Sequence, residues 1–147
     1  VGYDVRCMKL YGVHTDGTKY RIYDEDYLEY MIEKEMGFHH LEVDTGVHVQ
    51  PENGYYVELV PNSRLGKLSV HYGNSIGVID PDYTGGIRVL LNTTSVYWSK
   101  EDLIKFLPGN VVGQLIIRQK IDADWEVTDK LDETERGDGG FGSTEKK

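Results

Sequence analysis

The sequence predicts an all-β barrel or sandwich, built as one domain and interrupted by one or two helices. Three observations lead there. A chain of 147 residues fits a single domain and is long enough to bury a core. Short runs rich in β-branched residues recur along it, bounded by turn signals such as Glu52-Asn53-Gly54 and Thr84-Gly85-Gly86. Regular short strands separated by turns are the pattern of barrels and sandwiches. Only two segments show helical spacing instead.

The first of these covers residues 24–37. Tyr27, Leu28, Met31, Ile32 and Met36 recur there at helical intervals. Asp24 or Asp26 can cap its start and Gly37 can end it. Its apolar stripe is expected to dock on the β body as a separate flap, with the Glu-rich face in water. Strands are expected at 43–49, 55–60, 87–91 and 111–117. A second helix is expected over 99–107, with Ser99 and Asp102 as a capping box and Pro108-Gly109 as its stop. The acidic run 122–135 reads as a solvated face. It lacks the glycine and bidentate glutamate of a calcium loop. The domain is thus expected to span 1–135, followed by a mobile glycine-rich tail over 136–147.

Composition restricts function. The net charge of −9 argues against direct nucleic-acid binding, which needs a basic surface. It leaves room for a nucleotide site, where a few donors and a divalent cation suffice. Cys7 is the one cysteine, so no disulfide can close within the chain, and a reducing compartment fits. No apolar run is long enough to span a membrane as a helix, and none reads as a secretory signal. The five histidines lack metal-ligand spacing. The sequon at Asn92 and the Arg136-Gly137-Asp138 tripeptide read as incidental.

Four stretches carry chemistry. Arg136-Gly137-Asp138-Gly139-Gly140-Phe141-Gly142-Ser143-Thr144 could be a flexible linker. Its residue types also suit a phosphate clamp. Glycine lets backbone N–H groups approach phosphate, arginine pairs bidentately with its oxygens, and phenylalanine can stack on a base. The stretch 73–85 reads either as a plain hairpin turn or as a hairpin displaying Asp80 and Tyr83. Asp80 follows Gly77-Val78-Ile79, where a strand leaves the core. A carboxylate is ionised at neutral pH and can take a proton from water. The loop 60–67 offers Ser63, Arg64, Gly66 and Lys67 to a phosphate, with an ordinary polar loop as the competing reading. In 109–115, Gln114 lies in an apolar strand and must find hydrogen-bond partners if buried.

Together these stretches resemble the five motifs of the trimeric dUTP pyrophosphatases, in family order. Gly2-Tyr3-Asp4-Val5 resembles the first motif and residues 61–66 the second. Gly77-Val78-Ile79-Asp80, with Asp82, Tyr83 and Gly85, matches the third closely. Residues 109–115 resemble the fourth, and residues 136–144 match the fifth almost residue for residue. The resemblance implies a jelly-roll-like subunit in a homotrimer with shared active sites, hydrolysing dUTP to dUMP and pyrophosphate. By position, Asp80 would activate the attacking water and Tyr83 would pack under the deoxyribose. Asn74, Gly77 and Ile79 would belong to the hairpin that reads uracil. Asp4 would hold Mg2+ through a water. Ser63, Gly66 and Gln114 would contact phosphates. The tail would close with Phe141 on the base and Arg136, Gly142, Ser143 and Thr144 around the substrate. A cytoplasmic setting is implied, or a host cytoplasm, since a divergent member with helical insertions fits a viral source.

The departures are specific. The family's second motif has an arginine directly before the serine, where this chain has Asn62. The fourth has one where this chain has Val111. Arg64, two residues past Asn62, is expected to turn to the triphosphate in compensation. The segment 9–40 is longer than the family's, and the family's first strand would precede Val1. The rival dCTP deaminases need a glutamate on the strand after the third motif. Ile87-Arg88-Val89-Leu90-Leu91 has none.

Overall fold

The structure is a computed structural model that describes residues 2–95 and 97–140. Nine strands form among the described residues. They are β1 (Tyr3–Arg6), β2 (Lys9–Val13), β3 (Lys19–Ile22), β4 (His40–Asp44), β5 (Tyr55–Val60), β6 (Val70–Tyr72), β7 (Gly77–Ile79), β8 (Arg88–Thr93) and β9 (Val111–Gln119). They pair antiparallel into two sheets, of order β1-β9-β5-β7 and β3-β2-β4-β8-β6. The result is the expected all-β, jelly-roll-like fold.

Alternation places one side of each sheet in a shared core. Leu10, Ile22, Leu41, Val43, Val89 and Leu91 come from the five-stranded sheet. Val57, Leu59, Val112 and Leu115 come from the other. Gly113 is fixed by a close approach. A Cβ there would fall 2.0 Å from the Tyr72 hydroxyl and 2.9 Å from the Val60 carbonyl. The Tyr72 hydroxyl donates to the Val112 carbonyl at 2.7 Å, which ties β6 of one sheet to β9 of the other. Burial raises the Tyr72 phenol's pKa above its usual value. Cys7 is also buried, and its thiol is pushed up to about 12.

The 55–60 strand forms with the expected bounds, and those at 87–91 and 111–117 are slightly displaced or extended. The expected 43–49 strand instead covers His40–Asp44. It stops where the Asp44 carboxylate accepts the Gly46 N–H at 2.9 Å and Gly46 turns to φ 66°. The hairpin β2–β3 has no counterpart among the expected strands. It turns through Asp16-Gly17, where Asp16 accepts the Thr18 N–H at 2.9 Å.

The first helix, α1, spans Glu25–Glu33, and Asp24 caps it by accepting the Tyr27 N–H at 2.8 Å. It ends before Gly37. Glu35 takes φ 51°, and the N–H groups of Met36 and Glu35 return to the carbonyls of Met31 and Ile32 at 3.1 and 2.9 Å. That is a Schellman ending with glutamate in the left-handed position. The separate flap must be corrected. Leu28 and Met31 are fully buried and join the same core cluster as Leu10, Leu103 and Phe106, while Ile32 stays 40% exposed. A narrow stripe buried that deeply makes α1 part of the domain. Its Glu25 and Glu29 face outward and pair with Lys100 at 3.7 and 3.0 Å.

The second helix, α2, spans Lys100–Leu103 and continues as a 3-10 turn over Ile104–Phe106. Half of the capping box forms. Ser99 Oγ accepts the Asp102 N–H at 3.3 Å. The Asp102 carboxylate instead accepts the Ser69 N–H at 3.1 Å, which fastens α2 to the start of β6.

Candidate active site

The hairpin after β7 is built to present a carboxylate. In β7, Ile79 faces Val57 and Gly77 faces Leu59. Ile79 is buried, so the next residue, Asp80, emerges exposed. The Asp80 carbonyl accepts the Tyr83 N–H at 3.1 Å, reversing the chain. Tyr83 then folds back, its hydroxyl donating to the Gly86 carbonyl at 3.0 Å. Its ring lies on Gly85, where a Cβ would come within 2.6 Å of Cζ. His48 Nδ1 lies 2.9 Å from the Thr84 carbonyl and steadies the tip. The hairpin borders a cleft of about 470 Å3, lined by Asn74, Gly77, Ile79, Asp80 and Tyr83 together.

Two further groups form elsewhere. Ser63 and Gly66 line a second hollow of about 430 Å3 with Asn62, His71 and Ser75. Asp4 and Gln114 are cross-strand partners between β1 and β9, and Gln114 Nε2 donates to Asp4 Oδ1 at 2.9 Å. Gln114 also stands opposite Val60, next to the Ser63 loop. The first, second and fourth sequence motifs thus meet at one place on the four-stranded sheet. Asp4, Ser63, Gly66 and Gln114 do not line the Asp80 cleft of their own chain.

Arg64 does not behave as expected. Its Nη2 donates to the carbonyls of Lys105, at 3.1 Å, and Val111. The guanidinium is therefore spent on bracing the Ser63 loop against the entry to β9. Beside it, Asn62 Oδ1 and Arg64 Nε are both buried without a partner among the described residues. Arg136 lies exposed in the tail, its Nε donating to the Gly139 carbonyl at 2.8 Å. Phe141, Gly142, Ser143 and Thr144 lie outside the described residues.

Two cleft residues escaped the sequence reading. Glu42 of β4 is only 8% exposed yet lines the cleft with Arg88 of β8. Its Oε2 pairs with Lys19 Nζ at 2.6 Å and its Oε1 with Arg88 Nη1 at 3.3 Å. A charged residue inside the apolar run Leu41-Glu42-Val43 was the available signal. A deaminase-like glutamate is thus absent from β8, while a glutamate held by two cations stands on the neighbouring strand. No group of three or more metal-ligating side chains forms among the described residues. The exposed Asp4 carboxylate, held by Gln114, is a hard oxygen donor of the kind Mg2+ takes.

Fold and site define a jelly-roll-like β protein whose hairpin carries a carboxylate and an aromatic platform over a cleft. The dUTPase family model matches residues 22–145. A deoxyuridine 5'-triphosphate nucleotidohydrolase of Paramecium bursaria Chlorella virus 1 is 36% identical over 124 residues, 83% of this chain and 81% of that protein. The enzyme of the same name from Aeromonas salmonicida is 36% identical over 105 residues, 69% of this chain. The match spans only 65% of that relative's length. Among solved structures, a point mutant of the phage 80alpha dUTPase has a TM-score of 0.65 at 18% identity, covering 97% of this chain and 84% of that one. The chain belongs to the dUTPase family.

Proposed function

We propose that this chain hydrolyses dUTP to dUMP and pyrophosphate with Mg2+, as a homotrimer that assembles each active site from more than one subunit. One observation carries the reading. Asp80 and Tyr83 share a cleft with Asn74, Gly77 and Ile79, on the hairpin that the family resemblance assigns to base, sugar and water.

The chemistry follows from the groups present. Asp80 accepts a proton from water, whose oxygen bonds to the α-phosphorus as the bond to the β-phosphate breaks and pyrophosphate leaves. Tyr83, held flat by Gly85 and Gly86, offers its ring to the deoxyribose and leaves little room for a 2′-hydroxyl. The backbone of β7 reads the uracil edge. Ser63, the Gly66 backbone and Gln114 bind phosphate oxygens. Asp4, its carboxylate fixed by the Gln114 bond, would hold Mg2+ through a water. Mg2+, when bound, neutralises triphosphate charge. Because these groups form separate clusters in one chain, the Asp80 cleft is completed by a neighbour's Asp4, Ser63 and Gln114. The tail from Arg136 closes over the bound nucleotide. A cytoplasmic location fits, and no helix among the described residues is long and apolar enough to cross a membrane.

A second reading rests on one feature. With Asn62 and Val111 in place of two family arginines, and Arg64 engaged by carbonyls, the chain could be a dUTPase-like binding or regulatory protein with little turnover. Pyrophosphate release measured with dUTP, dCTP, dTTP and UTP separates the two. The enzyme reading expects turnover with dUTP alone. Asp80→Asn should cut it by about 10²–10⁴-fold while dUTP binding is largely kept. Undiminished turnover in that variant would remove Asp80 from its role.

A further inference from the structure

The charge network beneath the cleft is not explained by the roles above. Cleaving a triphosphate requires fixed positive charge near the phosphates, and two family guanidiniums are missing here. The chain has six arginines. Arg6 is engaged by the Gly109 carbonyl at 2.9 Å, and Arg64 by those of Lys105 and Val111. Arg118 pairs with Glu58 at 2.9 Å. Arg21 lies over the Tyr23 ring at 4.8 Å, and Arg136 belongs to the tail. Among the described residues, Arg88 is the one cation lining the Asp80 cleft.

Its surroundings favour an available charge. Arg88 is 57% exposed at its side chain and makes one long bond, 3.3 Å, to Glu42. Glu42 alone would neutralise it. Lys19, however, holds the same carboxylate more tightly, at 2.6 Å. The three groups therefore carry a net charge of about +1. Glu42 fixes the position of the guanidinium, and Lys19 balances Glu42. The remaining Arg88 donors have no protein acceptor among the described residues.

We propose that Arg88 is a substrate-binding residue that pairs with the β- and γ-phosphates of the nucleotide, supplying charge that Asn62 and Val111 do not. The proposal rests on the dUTP reading above, and its test keeps the two apart. Full-length protein with Mg2+ is assayed for dUTP turnover. Binding of dUMP and of the non-hydrolysable α,β-imido analogue of dUTP is measured by calorimetry. Arg88→Ala should fold and assemble as the parent does, since Glu42 keeps Lys19. It should lose roughly 100-fold in kcat/KM, the size of a removed electrostatic stabiliser. Affinity for the imido analogue should fall far more than affinity for dUMP, and Arg88→Lys should recover part of both losses. Unchanged kcat/KM and analogue affinity would overturn the assignment. So would equal losses for dUMP and the analogue, which mark a contact to what the two share (base, sugar or α-phosphate) or a structural role. A parent that binds the analogue through Arg88 yet never releases pyrophosphate would sink the enzyme reading and leave the contact standing. A parent that binds neither nucleotide would sink both.

Discussion

At the scale of single residues, Gly85 shows how the hairpin depends on a missing side chain. The Tyr83 ring lies where a Gly85 Cβ would point, with Cζ 2.6 Å and the hydroxyl oxygen 2.5 Å from it. The neighbour that must give is a side chain on a surface turn, so the fold can survive the change. The aromatic platform cannot stay in place. Gly85→Ala should therefore alter stability by less than about 1 kcal/mol while lowering kcat/KM for dUTP by about 100-fold, the usual cost of displacing a positioning group by an ångström. Steady-state kinetics beside a urea melt decides this. Full activity in the variant would mean that Tyr83 is not held by Gly85 during catalysis. The same scale shows what sequence could and could not carry. Asp80 and Tyr83 were legible because a strand's parity and a turn fix their exposure locally. Glu42 and Arg88 were not, because the contacts that define them span 23 residues to Lys19 and 46 residues between the pair. Arg64 departs from expectation for a related reason. Its acceptors, the carbonyls of Lys105 and Val111, lie 41 and 47 residues away.

At the scale of elements, legibility follows the locality of the signal. Strand β5 was readable to its ends because Asn53-Gly54 starts it and a run of β-forming residues interrupted only by Glu58 fills it. Strands β2 and β3 hide behind lysine, arginine and glycine, and only Asp16-Gly17 announces their turn. Composition points to Gly37 as the end of α1, yet the chain uses Glu35 in the left-handed conformation, φ 51°. A side chain there costs about 1–2 kcal/mol relative to glycine, less the extra unfolded-state freedom that glycine brings. Glu35→Gly should thus stabilise the protein by about 1 kcal/mol, read as a higher urea midpoint at constant m-value. Gly37→Ala should lack any comparable effect, since nothing lies within 4 Å of a Cβ at that position. The reverse order of effects would show that the helix ends at Gly37 in solution.

At the scale of the whole molecule, the segment after β9 is fastened at its start, where the Lys120 N–H donates to the Gly54 carbonyl at 2.8 Å, and past Lys120 it makes no hydrogen bond or ion pair to the body among the described residues. Ile121, Trp125, Val127 and Leu131 are 86%, 93%, 99% and 80% exposed. In the proposed homotrimer these side chains would be open to a neighbouring subunit. The body offers a matching groove of about 310 Å3, lined by Tyr3, Val49, Pro51, Val57, Leu115 and Ile117. Tyr3 and Ile117 there are 68% and 56% exposed. In the proposed homotrimer, an arm from one subunit seated in the groove of the next would be a heterologous contact, and three such contacts would close the ring. Burying a large side chain such as Trp125 contributes up to about 3 kcal/mol per subunit. The arm precedes Arg136, so assembly and tail closure should separate along the chain. Ending the chain after Glu135 should leave the oligomer intact and remove most turnover, because only the closing tail is lost. Ending it after Lys120 should shift the protein toward monomer and make Tm depend on concentration. Trp125→Ala should do the same more weakly. Sedimentation velocity at several concentrations reads all three. If the chain cut after Lys120 assembles as tightly as the full chain, the arm is not the fastening. The proposed shared site would then have to be held by the sheet faces alone.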